Sequence, residues 1–245
     1  MKLPTQSLAS LNKQLIQDLL SRKDITLVAV TKTADASLIK ELLLEGVKNI
    51  GENKVQDFEM KLASPNTGLG EALLKNMCKT HFIGHLQSNK AKQAVELFGV
   101  IQSVDSEKIA KKINDVAKEL NKKMEVMIQV NIGKEAQKHG VMPEDVTGFF
   151  EKITSLPNLN ITGLMCIAPE FPESESEKTR SYFRKMKELF DEINANLPNE
   201  NLSDGPKKLT YLSMGMTNDY LIALQEGANM IRLGRILYRG KCGGY

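Results

Sequence analysis

Apolar residues along the chain fall into short runs, each closed by polar residues and followed by a longer stretch with helical period. The runs are "ITLVAVTK" (25–32), "NIGEN" (49–53), "HFIGHL" (81–86), "GVIQSVD" (99–105), "EVMIQVNI" (125–132), "NITGLMCIA" (160–168), "KLTYLSMG" (208–215) and "NMIRLGRILY" (229–238). Runs of this kind, bounded by turn or polar residues, read as buried strands. The stretches between them include "ASLIKELLLEG", "NKAKQAVELF" and "KTRSYFRKMKELFDEINANL", whose apolar residues recur three and four apart, as on a helix with one buried face. Alternating strand and helix predicts a parallel sheet, and eight strands is the count of an α/β (β/α)8 TIM barrel. An open doubly wound sheet is the competing architecture, but it usually has fewer strands at this length. A further amphipathic stretch, residues 5–22, predicts an extra N-terminal helix. "LLEGVKNI" (43–50) and "LQEGANMI" (224–231) share a layout, which places Gly46 and Gly227 just past helix ends in the left-handed conformation. The longest irregular connection is 64–80, and 168–178 is a Pro-, Glu- and Ser-rich surface loop. Neither reads as a linker, so one domain over residues 1–245 is expected.

Composition narrows the function class. Of the 245 residues 41% are hydrophobic and 26% charged, ordinary for a globular protein with a sizeable core. The net charge of +3 is too mild to point to nucleic acid or to a membrane surface. Cys78, Cys166 and Cys242 are odd in number and form no CxxC pair, the pattern of a reducing compartment. "MKLPTQSLASLNKQ" has no apolar stretch of signal-peptide length, and no segment approaches a membrane span, so a cytoplasmic protein is expected.

Barrels of this type carry their active sites at the C-terminal ends of the strands. Read in order, those ends offer Lys32, Asn53, Leu86 (preceded by His85), Asp105, Asn131, Met165, Ser213 and Arg232. Polar residues often end a strand simply to cap the next helix, and Asp105 in "VDSEKIAKK" is the best example. "LSMGMTND" and "IRLGR" place Gly215 and Gly234 in the loops of strands seven and eight, where such barrels bind phosphate. Lysine is almost never fully buried without a partner, and a buried, uncharged amine is a nucleophile toward carbonyls. Lysine, phosphate loops and a nearby cation together suit a phosphorylated aldehyde held as a Schiff base, pyridoxal 5′-phosphate (PLP) being the commonest. A Schiff-base sugar-phosphate aldolase fits the same parts. His81 and His85 have no third ligand in view and His139 reads as surface loop, so no metal site is expected.

The strings "VAVTKT", "GEN" followed by "VQ", "HFIGHLQSNK", "SVDS", "IQVNI", "KHGV", "GLMCIAP", "LSMGM" and "IRLG" occur in this order from about residue 27 to 236. In these the chain resembles the pyridoxal phosphate homeostasis protein family, single-domain relatives of bacterial alanine racemase. The resemblance implies a barrel like the alanine racemase N-terminal domain, with PLP joined to Lys32 as a Schiff base. It implies Asn53 near the cofactor, and a phosphate held by Ser213 and the backbone around Met214 and Gly215, with Gly234 and the amide of Arg235. Arg232 would face the pyridine nitrogen. The family commonly has a proline soon after the lysine, an aromatic after "GEN" and a threonine after the "R-[IL]-G" glycine; this chain has "TADA", Lys54 and Arg235. The implied function is a monomeric carrier and regulator of cellular PLP, possible partners being PLP-dependent apoenzymes. No second domain with an opposing acid/base is expected after strand eight, which favours a carrier over the alternative, a slow PLP-dependent racemase or lyase.

Overall fold

The computed structural model describes residues 10–64, 69–74, 76–198 and 207–239. The strands are Ser10–Leu11 (β1), Thr26–Val30 (β2), Asn49–Glu52 (β3), Lys79–Phe82 (β4), Val100–Val104 (β5), Met124–Val130 (β6), Leu159–Cys166 (β7), Tyr211–Ser213 (β8), Met230–Leu233 (β9) and Tyr238–Arg239 (β10). Strands β2 to β9 close into an eight-stranded barrel in sequence order. Every neighbouring pair is parallel, and closure runs from Thr26 opposite Met230 to Ala29 opposite Leu233. The helices are Lys13–Ser21 (α1), Ala36–Leu44 (α2), Val55–Ala63 (α3), Leu69–Leu74 (α4), Ala91–Leu97 (α5), Glu107–Glu119 (α6), Val146–Thr154 (α7), Arg180–Asn196 (α8) and Tyr220–Gln225 (α9).

Local chemistry sets the element ends. Asp35 accepts the Leu38 amide at 2.9 Å and so starts α2, and that bond holds its carboxyl below the usual range. Ser106, not Asp105, caps α6 by accepting the Ile109 amide. Gly46 and Gly227 have φ of +89° and +93°. In both loops the glycine amide and the next one turn back onto the helix: Gly46 to Leu43 O and Val47 to Leu42 O, Gly227 to Leu224 O and Ala228 to Ala223 O. This is the Schellman arrangement that the shared layout implied.

The expected boundaries shift in three places. Residues 229–238 are not one strand: β9 ends at Leu233, a 3-10 turn covers Arg235–Leu237, and β10 pairs antiparallel with β1. The N-terminal helix spans Lys13–Ser21 rather than 5–22; residues 1–9 lie outside the described residues, as does Cys242. The connection 64–80 contains α4, and 168–178 contains most of a 3-10 turn at Glu173–Thr179.

Most of the core lies between strands and helices. A smaller apolar cluster, Val28, Val100, Met127, Met165 and Met230, lies apart from it. Side chains alternate along a strand, so the partners of Met230 on the same face of β9 include Arg232. With His81, Gln102 and Ser213, Arg232 forms a buried polar layer.

Candidate functional site

Lys32 leaves β2 two residues beyond its last strand residue. The expected buried amine is not found: Lys32 is exposed, and its neighbour Thr31 is fully buried. The reason is that Thr31 still belongs to the barrel wall. Its amide donates to Gly51 O at 3.0 Å, and its hydroxyl donates to Glu52 Oε1 at 2.6 Å. Glu52 Oε1 also accepts from Lys61 Nζ at 2.6 Å, and Lys61 Nζ donates to Thr31 O at 2.6 Å. Lys32 therefore emerges from a backbone fixed by a buried carboxylate and a second lysine. Tyr238 of β10 adds a hydrogen bond from its hydroxyl to Val30 O at 2.9 Å.

Arg232 lies opposite Val28 in the closing strand pair, 3% exposed. Its Nη1 donates to Ser213 Oγ at 2.8 Å and its Nη2 to Cys166 O at 2.7 Å. Ser213 in turn donates to Gln102 Oε1 at 2.8 Å. Gln102 Nε2 donates to His81 Nδ1 at 2.9 Å, and His81 Nε2 donates to Asn49 Oδ1 at 3.1 Å. Burial lowers the affinity of the Arg232 guanidinium for its proton, and burial with the nearby Lys79 charge lowers the His81 pKa to about 3. No carboxylate forms an ion pair with Arg232 among the described residues. An unpaired buried cation is costly unless something else supplies the complementary charge or lone pair.

The residues expected at the phosphate divide into two groups. The Ser213 hydroxyl is engaged inside the barrel, and the Met214 amide donates to Met230 O at 3.1 Å. Both are drawn inward because they continue the short strand β8. The amides of Gly215, Gly234 and Arg235 donate to no acceptor among the described residues. A Cβ built at Gly234 would lie 3.5 Å from Val30 Cβ, ordinary contact distance, so protein packing does not require glycine there. A ligand lying against that backbone would. The Arg235 side chain is exposed.

A cavity of about 370 Å³ opens beside these groups, lined by Lys32, Asn53 and Arg232 together with His85, Gln129, Asn131, Lys138, His139 and Met216, among others. No carboxylate lines it. Asn53 is held by Gly84, where a Cβ would lie 2.1 Å from Asn53 O. A shallower groove of about 300 Å³ on the other side of Lys32 is lined by Lys61, Asp35 and Asp57. The cavity thus presents the Lys32 amine and two further cations, Lys138 and Arg232, a set that suits an anionic ligand with a carbonyl.

Several residues here carried no warning in the sequence. Glu52 and Lys61 are nine apart on different elements, and Gln102 lies in an otherwise apolar run. His85 and His139, which line the cavity, meet Asp105 beside it: His85 Nδ1 lies 3.1 Å from Asp105 Oδ2. Asp105 is free for this contact because Ser106 caps the helix.

The family model for the alanine racemase N-terminal domain matches residues 9–241. The chain belongs to that family and, within it, to the pyridoxal phosphate homeostasis proteins. The pyridoxal phosphate homeostasis protein of Aquifex aeolicus is 37% identical over 86% of this chain and 85% of its own length. That of Haemophilus influenzae is 34% identical over 89% and 86%. Among solved structures, PipY of Synechococcus elongatus with PLP bound superposes with a TM-score of 0.77 at 31% identity, covering 92% of this chain and 98% of that one. Alanine racemase of Clostridium difficile, with a TM-score of 0.66 at 18% identity, covers 95% of this chain and 57% of that one, and shows the shared barrel.

Proposed function

We propose that this chain is a single-domain PLP carrier, holding the cofactor on Lys32 and serving PLP homeostasis in the cytoplasm. The observation that carries the reading is the cavity that Lys32 and the buried Arg232 line together without a carboxylate, with the amides of Gly215, Gly234 and Arg235 left without an acceptor among the described residues in the loops after β8 and β9. Its relatives named for PLP homeostasis, and PipY with PLP bound, support the same ligand. When bound, PLP supplies an aldehyde that condenses with a primary amine, releasing water, on a ring that withdraws electrons. Lys32 Nζ supplies the amine. The three free amides receive phosphate oxygens, as backbone N–H groups do in such loops. Arg232, which keeps its proton, would donate to the ring nitrogen and favour its unprotonated form. Ser213 acts on the guanidinium rather than on the phosphate. Asn53 shapes the wall beside Lys32. No helix among the described residues is long and apolar enough to cross a membrane, and the two described cysteines, Cys78 and Cys166, are free and buried, in keeping with a reducing compartment.

Borohydride reduction of the PLP-loaded protein followed by peptide mapping tests the assignment. The pyridoxyl group should be fixed on Lys32 and be lost in Lys32→Ala. A label confined to Lys61 or Lys138 would overturn it. An amino-acid racemisation assay tests the carrier role separately: turnover comparable to that of dedicated racemases would replace it with the enzymatic reading.

A further inference from the structure

Across the cavity from Lys32, three side chains that the PLP reading does not use converge on one point. His85 follows β4, Asp105 follows β5 and His139 lies in the loop after β6, and their ligand atoms all lie within 4.8 Å of one another. The two imidazoles stack face to face, centroids 3.5 Å apart and planes 7° from parallel. Both turn Nδ1 toward the same oxygen, Asp105 Oδ2, at 3.1 Å from His85 and 4.0 Å from His139. We propose that His85 Nδ1, His139 Nδ1 and Asp105 Oδ2 form a binding site for a divalent transition-metal cation of the zinc class.

Two imidazoles and one carboxylate are a donor set for first-row metals such as zinc and iron. Bond lengths of about 2.0–2.2 Å around a tetrahedral zinc put ligand atoms roughly 3.3 Å apart. The His85–Asp105 distance of 3.1 Å already fits, and the His139–Asp105 distance of 4.0 Å must close by roughly 0.7 Å. The stacked rings must also tilt, because a metal has to lie near the plane of each imidazole that binds it. His139 can make that movement, since its side chain is 55% exposed. Its backbone is anchored meanwhile: His139 O accepts from Gln129 Nε2 at 2.9 Å, and the Val141 amide donates to Gln129 O at 2.8 Å. Asp105, only 10% exposed in its side chain, is the fixed corner. Three protein ligands leave a coordination position for water or a small carboxylate, and both histidines line the cavity that Lys32 borders.

The test is calorimetric titration with zinc chloride, paired with the visible d–d absorption of cobalt(II), in the wild type and in Lys32→Ala. Running both proteins separates this site from the PLP assignment, whose failure would leave the metal result standing. The expected result is one saturable equivalent in each. Losing an outer partner of a metal ligand already costs about 10–100-fold in affinity, so His139→Ala and Asp105→Asn, which remove direct ligands, should each weaken binding at least tenfold. Zinc should raise the melting temperature of the wild type and not of His139→Ala. No saturable equivalent, or binding that survives unchanged in His139→Ala and in the milder His139→Gln, overturns the proposal.

Discussion

Acidification from about pH 7.5 to 5 should weaken the fold through His81 in particular. The imidazole is fully enclosed, receives a hydrogen bond on Nδ1 and donates from Nε2, so the folded state accommodates only its neutral form. Its pKa falls from 6.5 to about 3, burial being the main cause and the Lys79 charge the second. The unfolded chain therefore binds more protons than the folded one between about pH 3 and 6.5, and stability is lost as the pH falls through that window. At 1.36 kcal/mol per pH unit the ceiling is about 5 kcal/mol, of which about 2 kcal/mol is lost by pH 5. For a chain of this size that corresponds to a fall of about 4–8 °C in melting temperature. Carboxylates with lowered pKa values, such as Asp35 and Glu226, lose their stabilising effect only below about pH 4. Asp219, whose carboxyl is raised by burial, acts with the opposite sign and offsets part of the loss. The assay is chemical denaturation of the wild type and His81→Gln at closely spaced pH values. The variant is less stable throughout but should have the flatter profile. Parallel profiles from pH 7.5 to 5 would refute the reasoning.

Two further substitutions separate fold from site. Gly234→Ala meets only ordinary contacts with Val30, so its melting temperature should stay within a few degrees of wild type, while PLP affinity, read by fluorescence titration, should fall; unchanged affinity would remove this loop from the phosphate site. Glu52→Gln keeps the size of a side chain that is 1% exposed but removes the carboxylate that accepts from Lys61 at 2.6 Å; because Lys61 is partly exposed, denaturation should show a loss of about 1–3 kcal/mol, below the usual range for breaking a fully buried pair, with Lys32 labelling retained.

What could be read from the sequence was whatever depends on local pattern. Eight apolar runs became eight barrel strands, and a glycine after each of two helices took positive φ, because periodicity and loop chemistry are properties of contiguous residues. What was not legible depends on phase or on distance. β8 is three residues long, too short for alternation to show that the Ser213 hydroxyl meets Arg232 and Gln102. The run 229–238 was apolar enough for one long strand, but the chain turns after Gly234, and the tail pairs with β1 more than two hundred residues away in sequence. Thr31, not Lys32, takes the buried position at the end of β2. Its reason lies in Glu52 and Lys61, which no window of sequence brings together.

The buried polar layer ties these observations to one another. Arg232, Ser213, Gln102 and His81 form a chain in which each donates in the same direction, away from the guanidinium, ending on Asn49 Oδ1 as the acceptor. Such chains polarise cooperatively, and each link fixes the orientation of the next. A proton added at His81 Nδ1 would set two donors against each other. Gln102 would have to turn, Ser213 would lose its acceptor, and the hydroxyl that fixes one of the two orienting contacts of Arg232, the other being Cys166 O, would be free to rotate. The acid limit of the fold and the orientation of Arg232 toward the cavity are thus governed by the same side chains. A neutral His81 keeps Arg232 oriented with no carboxylate in ion-pair contact among the described residues, and in the proposed function that guanidinium is the group that meets PLP.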